Sequence, residues 1–322
     1  MDPHAITVVI PTRDEALHIA RCVNAARAIG RVVVVDCGSS DATRAIARAH
    51  GAGVIEHAWE GHAGQKNWAL DHAGIDTPWV LFLDADEVVP PATAAAIREA
   101  VASGRADGYE LPRAYVFLGR PLRHAWWYPD YQLRLFRTGR GRFEERRVHE
   151  HVILDGRVAQ LAAPILHDNR KGIAAFIERH ARYAAFEADE LLAPGRARRR
   201  GSLRGSWAER RRALKDRLWF RLPARPLARF LWMYVVKRGF LDGRRGLLFC
   251  ALIAMYELMI DAHLMERRLA AEVGREKGEV RDEDAAAVRR ATARPIRRRP
   301  ARPRPLTLDG AQTDDRRTER AA

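Results

Sequence analysis

The chain has 322 residues, 47% of them hydrophobic, enough to bury a core in one large domain or in a medium domain with additions. Its formal net charge of +15 is unevenly spread: Glu187 to Arg245 carries 17 basic against 6 acidic side chains, and Val273 to the end 14 against 9. Three widely separated cysteines, Cys22, Cys37 and Cys250, exclude a disulfide framework and a C-x-x-C zinc site and point to a reducing compartment.

The N-terminus shows no charged leader or cleavage pattern and runs straight into an apolar strand, Ile6 to Ile10, that is expected to stop at Pro11. Apolar residues at helical spacing follow from Glu15 to Ile29. Arg31 to Val35 reads as a second buried strand ending in Asp36, then a helix from Ala42 to His50, a short strand at Val54 and Ile55, and a helix from Gln65 to Ala73. Trp79-Val-Leu-Phe-Leu-Asp84-Ala-Asp86-Glu87 is an apolar run of strand length that ends in three carboxylates within four residues. A helix from Pro91 to Ala102 follows. Strands alternating with helices predict an α/β fold with a mostly parallel sheet, in which ligands gather at the carboxyl ends of strands. Asp84 and Asp86 are two residues apart, so on an extended backbone they share a side, a spacing suited to a hard divalent cation that also bridges phosphate oxygens. An isolated D-x-D also occurs as a solvated loop with a helix cap.

Gly108 to Leu118 and Gln132 to Phe136 are expected as later strands, and Val148 to Leu154 with Val158 to Leu161 as a hairpin turning at Asp155 and Gly156. From Ile173 to Leu192 the pattern is helical. An Arg-rich stretch then precedes two apolar helices, about Pro226 to Gly239 and Gly246 to Leu269. The stretch Gly246 to Met265 is interrupted by Glu257, Asp261 and His263 and falls short of the uninterrupted span a transmembrane helix needs, about 20 residues. Leu227, Phe230, Leu231, Tyr234 and Val235 lie at helical spacing beside Arg225, Arg229, Lys237 and Arg238, a composition for a membrane interface or for a hairpin packed on the domain. The tail from Ala293 onward, rich in Arg and Pro, has too little apolar surface to fold.

Val8 to Glu15, Val33 to Thr43 and Leu81 to Glu87, in that order and spacing, resemble the inverting family 2 glycosyltransferases of the GT-A fold, over roughly residues 5 to 185. Gly64 to Leu70, Trp127 to Phe136, Val148 to Glu150 and Lys237 to Gly243 are similar to bacterial lipopolysaccharide core glycosyltransferases of the WaaE and LgtF type, which extends the resemblance to about residue 270. The resemblance implies a GT-A catalytic domain at residues 1–185, a basic amphipathic helical region at 186–272 and a charged tail at 273–322, largely disordered from about 293. It implies transfer of a hexose from a UDP-sugar, with Mg²⁺ or Mn²⁺, to a lipopolysaccharide or lipooligosaccharide core acceptor at the inner face of the cytoplasmic membrane. A polyprenyl phosphate or exopolysaccharide acceptor is the alternative.

Pro11, Thr12 and Glu15 would then touch the nucleotide, Asp36 would accept from uracil or ribose, and Lys66 would offset diphosphate charge. Asp86 would ligate the metal, with Asp84 on ribose or in the metal shell and His167 as a late ligand. Asp130 would be the base that deprotonates the acceptor hydroxyl, with Glu150 as its rival. Gln132 and Arg134 alternate with Leu133 and Leu135, so they share a face and could line the acceptor or diphosphate pocket. The positive charge also suits an anionic membrane surface. Nucleic acid is not the expected partner: the basic segment has no RNP or zinc-finger signature, and binding through it would explain none of the first 170 or so residues.

Overall fold

The computed structural model describes residues 5–144, 151–193 and 224–292 together with Trp219 and Leu222, and side chains as far as residue 273. Residues 1–266 form one compact unit and 267–322 another. The first unit is an α/β body. Strands β1 (Ile6–Thr12), β2 (Arg31–Asp36), β3 (Gly53–Glu56) and β4 (Trp79–Phe82) lie parallel in the order β3-β2-β1-β4. Helices α1 (Ile19–Arg27), α2 (Thr43–Ala49), α3 (His62–His72) and α4 (Pro91–Ser103) alternate with them, with the two-residue β5 (Glu87–Val88) before α4.

Beyond β4 the sheet changes direction. β8 (Asp130–Arg137) pairs antiparallel with both β4 and β6 (Gly108–Phe117), β12 (Ile165–His167) runs parallel to β6, and β5 closes the edge on β12. The short β7 (Arg120–Pro121) and β11 (Val158–Gln160) also pair with β6. Alternate residues of β1 and β4 face opposite layers. Val8, Ile10 and Leu81 pack with α1 and α4 residues such as Cys22 and Ile97, whereas Val9, Val80 and Phe82 pack with Ala69 of α3 and with Phe136 and Phe143.

Three sequence expectations shift for visible reasons. β1 runs through Pro11 instead of stopping there. Thr12 accepts from Cys37 on the β2 side, so Pro11 faces the β4 side, where β4 pairs only as far as Val9 and the missing N–H breaks no ladder bond. α1 starts at Ile19, not Glu15, because the amides of Asp14, Glu15 and Ala16 donate to Ser39 Oγ, Thr43 Oγ1 and Asp41 Oδ2. The expected hairpin at Asp155 and Gly156 does not form. Val152–Leu154 (β10) pairs with Gly141–Phe143 (β9), whereas β11 joins β6. Asp107 separates the two, its carboxylate accepting the Arg157 amide at 3.0 Å and its amide donating to Arg157 O at 2.8 Å.

After α5 (Gly172–Leu192) come α6 (Arg225–Leu231), a wider π turn (Trp232–Val236), a 3-10 turn (Gly239–Asp242) and the long α7 (Gly243–Thr292). By length and composition Gly239–Val273 could cross a membrane, longer than the sequence reading allowed. One side of it is nevertheless buried in the first unit. Phe249, Cys250, Leu252 and Ile253 join an aromatic cluster with Phe117, Leu122 and Phe176, and Ile260 and Leu264 meet Ala184 and Ala188 of α5. The Lys237 to Gly243 motif makes the hairpin bend. Asp242 accepts the amides of Arg123, His124 and Ala125, and a Cβ on Gly246 would sit 2.0 Å from Gly239 O. Of the four cations read as flanking an amphipathic face, Arg225 and Arg229 instead turn inward, because Glu257 and Asp261 on α7 draw them in.

Candidate active site

The apolar run of β4 delivers its acids where the sequence placed them, at the strand's carboxyl end. There β1 and β2 continue on one side and the antiparallel β8 begins on the other. Asp84 Oδ2 accepts from Arg134 Nη2 at 3.0 Å, and the same guanidinium reaches Glu87 Oε1 at 2.9 Å. Glu87 is 1% exposed, and its other oxygen accepts the Asp84 amide at 2.9 Å. The third acid is therefore structural, folding the Asp84 to Glu87 turn and anchoring Arg134. Burial, which outweighs the Arg134 cation, pushes the Glu87 carboxyl up to about 7, with the Asp84 charge adding to the rise. For Asp84 burial also acts upward, but Arg134 and Lys66 together hold it well below the usual carboxylate range.

Lys66 comes from α3, with Nζ 3.9 Å from Asp84 Oδ1 and 5.2 Å from the centre of the Phe143 ring. The residues around it fix the helix. Asn67 exchanges two hydrogen bonds with the backbone of Phe143, and Trp68 stacks on His57 at 4.0 Å. Gln65 is fully buried, pairs its carbonyl with His57 Nδ1 at 3.1 Å and leaves Nε2 without a hydrogen-bond partner among the described residues. Thr12 Oγ1 at the end of β1 is likewise buried and unpartnered, beside the half-buried Pro11.

Asp86 points toward β12, where its Oδ2 accepts from Asn169 Nδ2 at 2.9 Å. Its Oδ1 lies 3.4 Å from His167 Nδ1, which is buried and makes no hydrogen bond among the described residues. His167 also stacks on Tyr115 at 5.0 Å. Burial holds its imidazole below its usual range, against the pull of Asp86. A carboxylate oxygen and an unsatisfied imidazole nitrogen facing each other form a donor pair that fits Mn²⁺ or Mg²⁺. Among the described residues no group of three or more His, Cys, Asp or Glu is arranged around a metal, so a cation here would complete its shell from a bound ligand.

The segment after β12 went unnoticed in the sequence beyond His167, and it ties this corner to the β1 loop. Asp168 accepts from Arg21 at 2.7 Å and from Arg170, the Arg170 amide donates to His18 Nε2 at 2.8 Å, and Lys171 Nζ meets Glu15 Oε1 at 2.7 Å. Because His18 Nε2 accepts, its Nδ1 carries the proton and donates to Glu15 Oε2 at 2.6 Å. Glu15 thus has both oxygens engaged within the protein. Asp36 is 0% exposed and accepts from the Gly38 and Ser39 amides and from Ser39 Oγ, so it shapes its own turn. Both acids thus already accept hydrogen bonds from the protein.

Asp130 opens β8 directly across from Arg113 of β6, and Arg113 holds its Oδ2 through Nε at 3.2 Å and Nη2 at 2.8 Å. Gln132, on the same face, donates to Asp130 Oδ1 at 3.1 Å. Gln132 is bound to Asp130 and Arg134 to Asp84 and Glu87, and the register of β8 on β6 shifts at Arg134, so the expected strict alternation with Leu133 and Leu135 is interrupted there. Arg113 was missed because nothing marks it in sequence except its place between apolar strand residues. Glu150 lies outside the described residues.

The mixed α/β fold places this cluster of acids and cations at the carboxyl end of β4. Residues 7–151 match the family model described as Glycosyl transferase family 2, and this match with the relatives below supports a transferase. It is similar to the lipopolysaccharide core biosynthesis glycosyltransferase LpsC of Rhizobium meliloti, 27% identical over 191 residues that cover 57% of this chain and 70% of that one. An uncharacterized glycosyltransferase of Rickettsia felis is 40% identical over 105 residues, which span 32% of this chain and 36% of the relative. Among solved structures, Staphylococcus aureus TarS in complex with UDP-GlcNAc has 16% identity and a TM-score of 0.41 over 81% of this chain and 92% of that one. Glucosyl-3-phosphoglycerate synthase of Mycobacterium tuberculosis, with Mg²⁺ and UDP, has 21% identity and a TM-score of 0.30 over 35% of this chain and 44% of that one.

Proposed function

We propose that the protein transfers a hexose from a UDP-sugar to a lipopolysaccharide or lipooligosaccharide core acceptor by a single inverting displacement that depends on a divalent cation. The observation that carries this reading is the arrangement around Asp86. A carboxylate and the unsatisfied His167 Nδ1 face one another, with Lys66 and Arg134 beside the neighbouring Asp84. Asp86 and His167 would hold Mg²⁺ or Mn²⁺, with Asp84 beside them, and the cation would neutralise charge on the departing diphosphate. Lys66 supplies a mobile point charge to the same phosphates. Thr12 Oγ1 and Gln65 Nε2, buried without hydrogen-bond partners among the described residues near the ends of β1 and α3, would meet the nucleotide together with Pro11, Glu15 and Asp36.

Asp130 is the base. It takes the proton of the acceptor hydroxyl as the bond from that oxygen to the anomeric carbon forms and the bond from that carbon to the diphosphate breaks, releasing UDP. Arg113 and Gln132 fix its two oxygens. The similarity to LpsC supports a core saccharide as acceptor, and the reaction would then run at the inner face of the cytoplasmic membrane. The test is incubation of the purified protein with UDP-hexoses, Mn²⁺ and lipopolysaccharide core acceptors, read as UDP release and a mass gain of one hexose. Transfer to polyprenyl phosphate instead would replace the acceptor, and transfer to neither would remove the reading.

A further inference from the structure

We infer that the bend between α6 and α7 is a docking tip that inserts into the surface of an anionic lipid bilayer. The inference deepens the lipid-acceptor reading and rests on it for its purpose. Across this bend the chain exposes large apolar side chains in close succession: Val235 at 54%, Val236 at 68%, Phe240 at 47%, Leu241 at 55% and Leu247 at 44%. Their neighbours Met233, Gly239 and Phe249 are buried, so the bend has an inner face committed to the protein and an outer face with nothing on it among the described residues.

The charges at the bend select the partner. Arg238 and Arg244 are exposed between the apolar residues. The sole acid from Val235 to Leu248 is Asp242, and its carboxylate is turned inward onto the amides of residues 123–125. The outer face therefore presents apolar groups and cations without a competing anion, the composition that seats in the headgroup region of anionic lipid. A second copy of the chain would bring the same positive charge to the contact and is disfavoured.

The tip is also coupled to the acceptor side of the site. Lys237 Nζ lies 4.5 Å from the Trp127 ring, Trp127 meets Trp232 at 5.0 Å, and Trp127 and Tyr128 are partly exposed three and two residues before Asp130. Aromatic side chains with a polar edge favour the same interfacial zone. Docking through the bend would bring Asp130 to the level at which a lipid-anchored saccharide emerges.

The test is co-flotation of the full chain with vesicles of phosphatidylcholine and phosphatidylglycerol, against phosphatidylcholine alone, with UDP binding measured on the same samples. Wild type should float with the anionic vesicles, and Val236→Asp with Phe240→Asp should weaken partitioning roughly tenfold or more while leaving UDP binding unchanged. Arg238→Ala with Arg244→Ala should weaken it less and reduce its salt dependence. Wild type that stays in solution, or apolar variants that float as well as wild type, overturns the proposal. So does a dimer in light scattering that Val236→Asp dissolves without any vesicle binding. Retained UDP binding in those cases leaves the transferase reading standing, and its loss removes that reading separately.

Discussion

Two buried arginine–carboxylate clusters stand out among the described residues, and the contrast between them shows what separates a site from a brace. At the end of β4, Arg134 joins Asp84 and Glu87; under the C-terminal helices, Arg225 and Arg229 join Glu257 and Asp261. Both put guanidinium charge where water is scarce, and both involve an acid almost wholly buried. The helical cluster links α6 to α7 and itself reaches the surface through Asp261, 42% exposed at its side chain. The β4 cluster opens outward through Asp84, 36% exposed at its side chain, and continues to Asp86 and to a histidine nitrogen that no protein group satisfies among the described residues. Burial of charge alone is therefore weak evidence of function, whereas unfilled valence beside it points to a ligand.

Substitutions should affect the two clusters in different ways. The largest effect is expected for Asp86→Asn and Asp130→Asn, each lowering transfer about a thousandfold or more with the thermal midpoint nearly unchanged, because in the proposed reaction both act on the reacting groups. The two should part on binding: Asp130→Asn keeps UDP affinity, and its loss there would remove Asp130 from the role of base. In the brace the effect falls on stability. Glu257→Ala leaves Arg225 and Arg229 short of their partner and should cost about 3 to 5 kcal/mol in denaturant unfolding, with activity per folded molecule retained. A fall in kcat without a fall in stability would mean that the helical cluster is not a brace.

Lys66→Ala should weaken UDP binding roughly tenfold, seen mainly in KM for the donor, as expected for a charge that contacts diphosphate. The smallest effect is a pH slope. Glu87 titrates at about 7 when folded against 4.5 as its ordinary value, so between those values the folded state keeps a proton that the unfolded chain has lost. That group's contribution to stability is full below 4.5 and is lost as pH rises through about 7. Glu87→Gln should flatten this part of the stability profile, and an unchanged slope would show that the carboxyl is already ionised.

Much of the donor corner was legible because periodicity and position state it directly. The buried runs of β1, β2 and β4 and the acids that end β4 follow from apolar strands meeting an abrupt polarity change. What escaped depends on contacts distant in sequence. Glu87 looks like another solvated acid until Arg134, 47 residues away, covers it. Arg113 is read only through its cross-strand partner Asp130, and the residues after His167 only through Arg21, His18 and Glu15. Glu15 and Asp36 are expected from the sequence to meet a nucleotide, and their carboxylates also hold neighbours that spacing does not reveal. The misread hairpin and the two inward-facing arginines share that origin, since acids distant in sequence, Asp107 in one case and Glu257 with Asp261 in the other, decided each outcome.

The donor site is best probed by a thermal-shift titration of UDP with and without Mn²⁺ on wild type and Asp86→Asn, since a ligand that binds the folded state raises its midpoint by mass action. A rise with UDP that requires Mn²⁺ is expected in wild type, and none in the variant. A wild type indifferent to UDP, or a variant that responds as wild type does, would refute the assignment of Asp86 and its neighbours as the donor site.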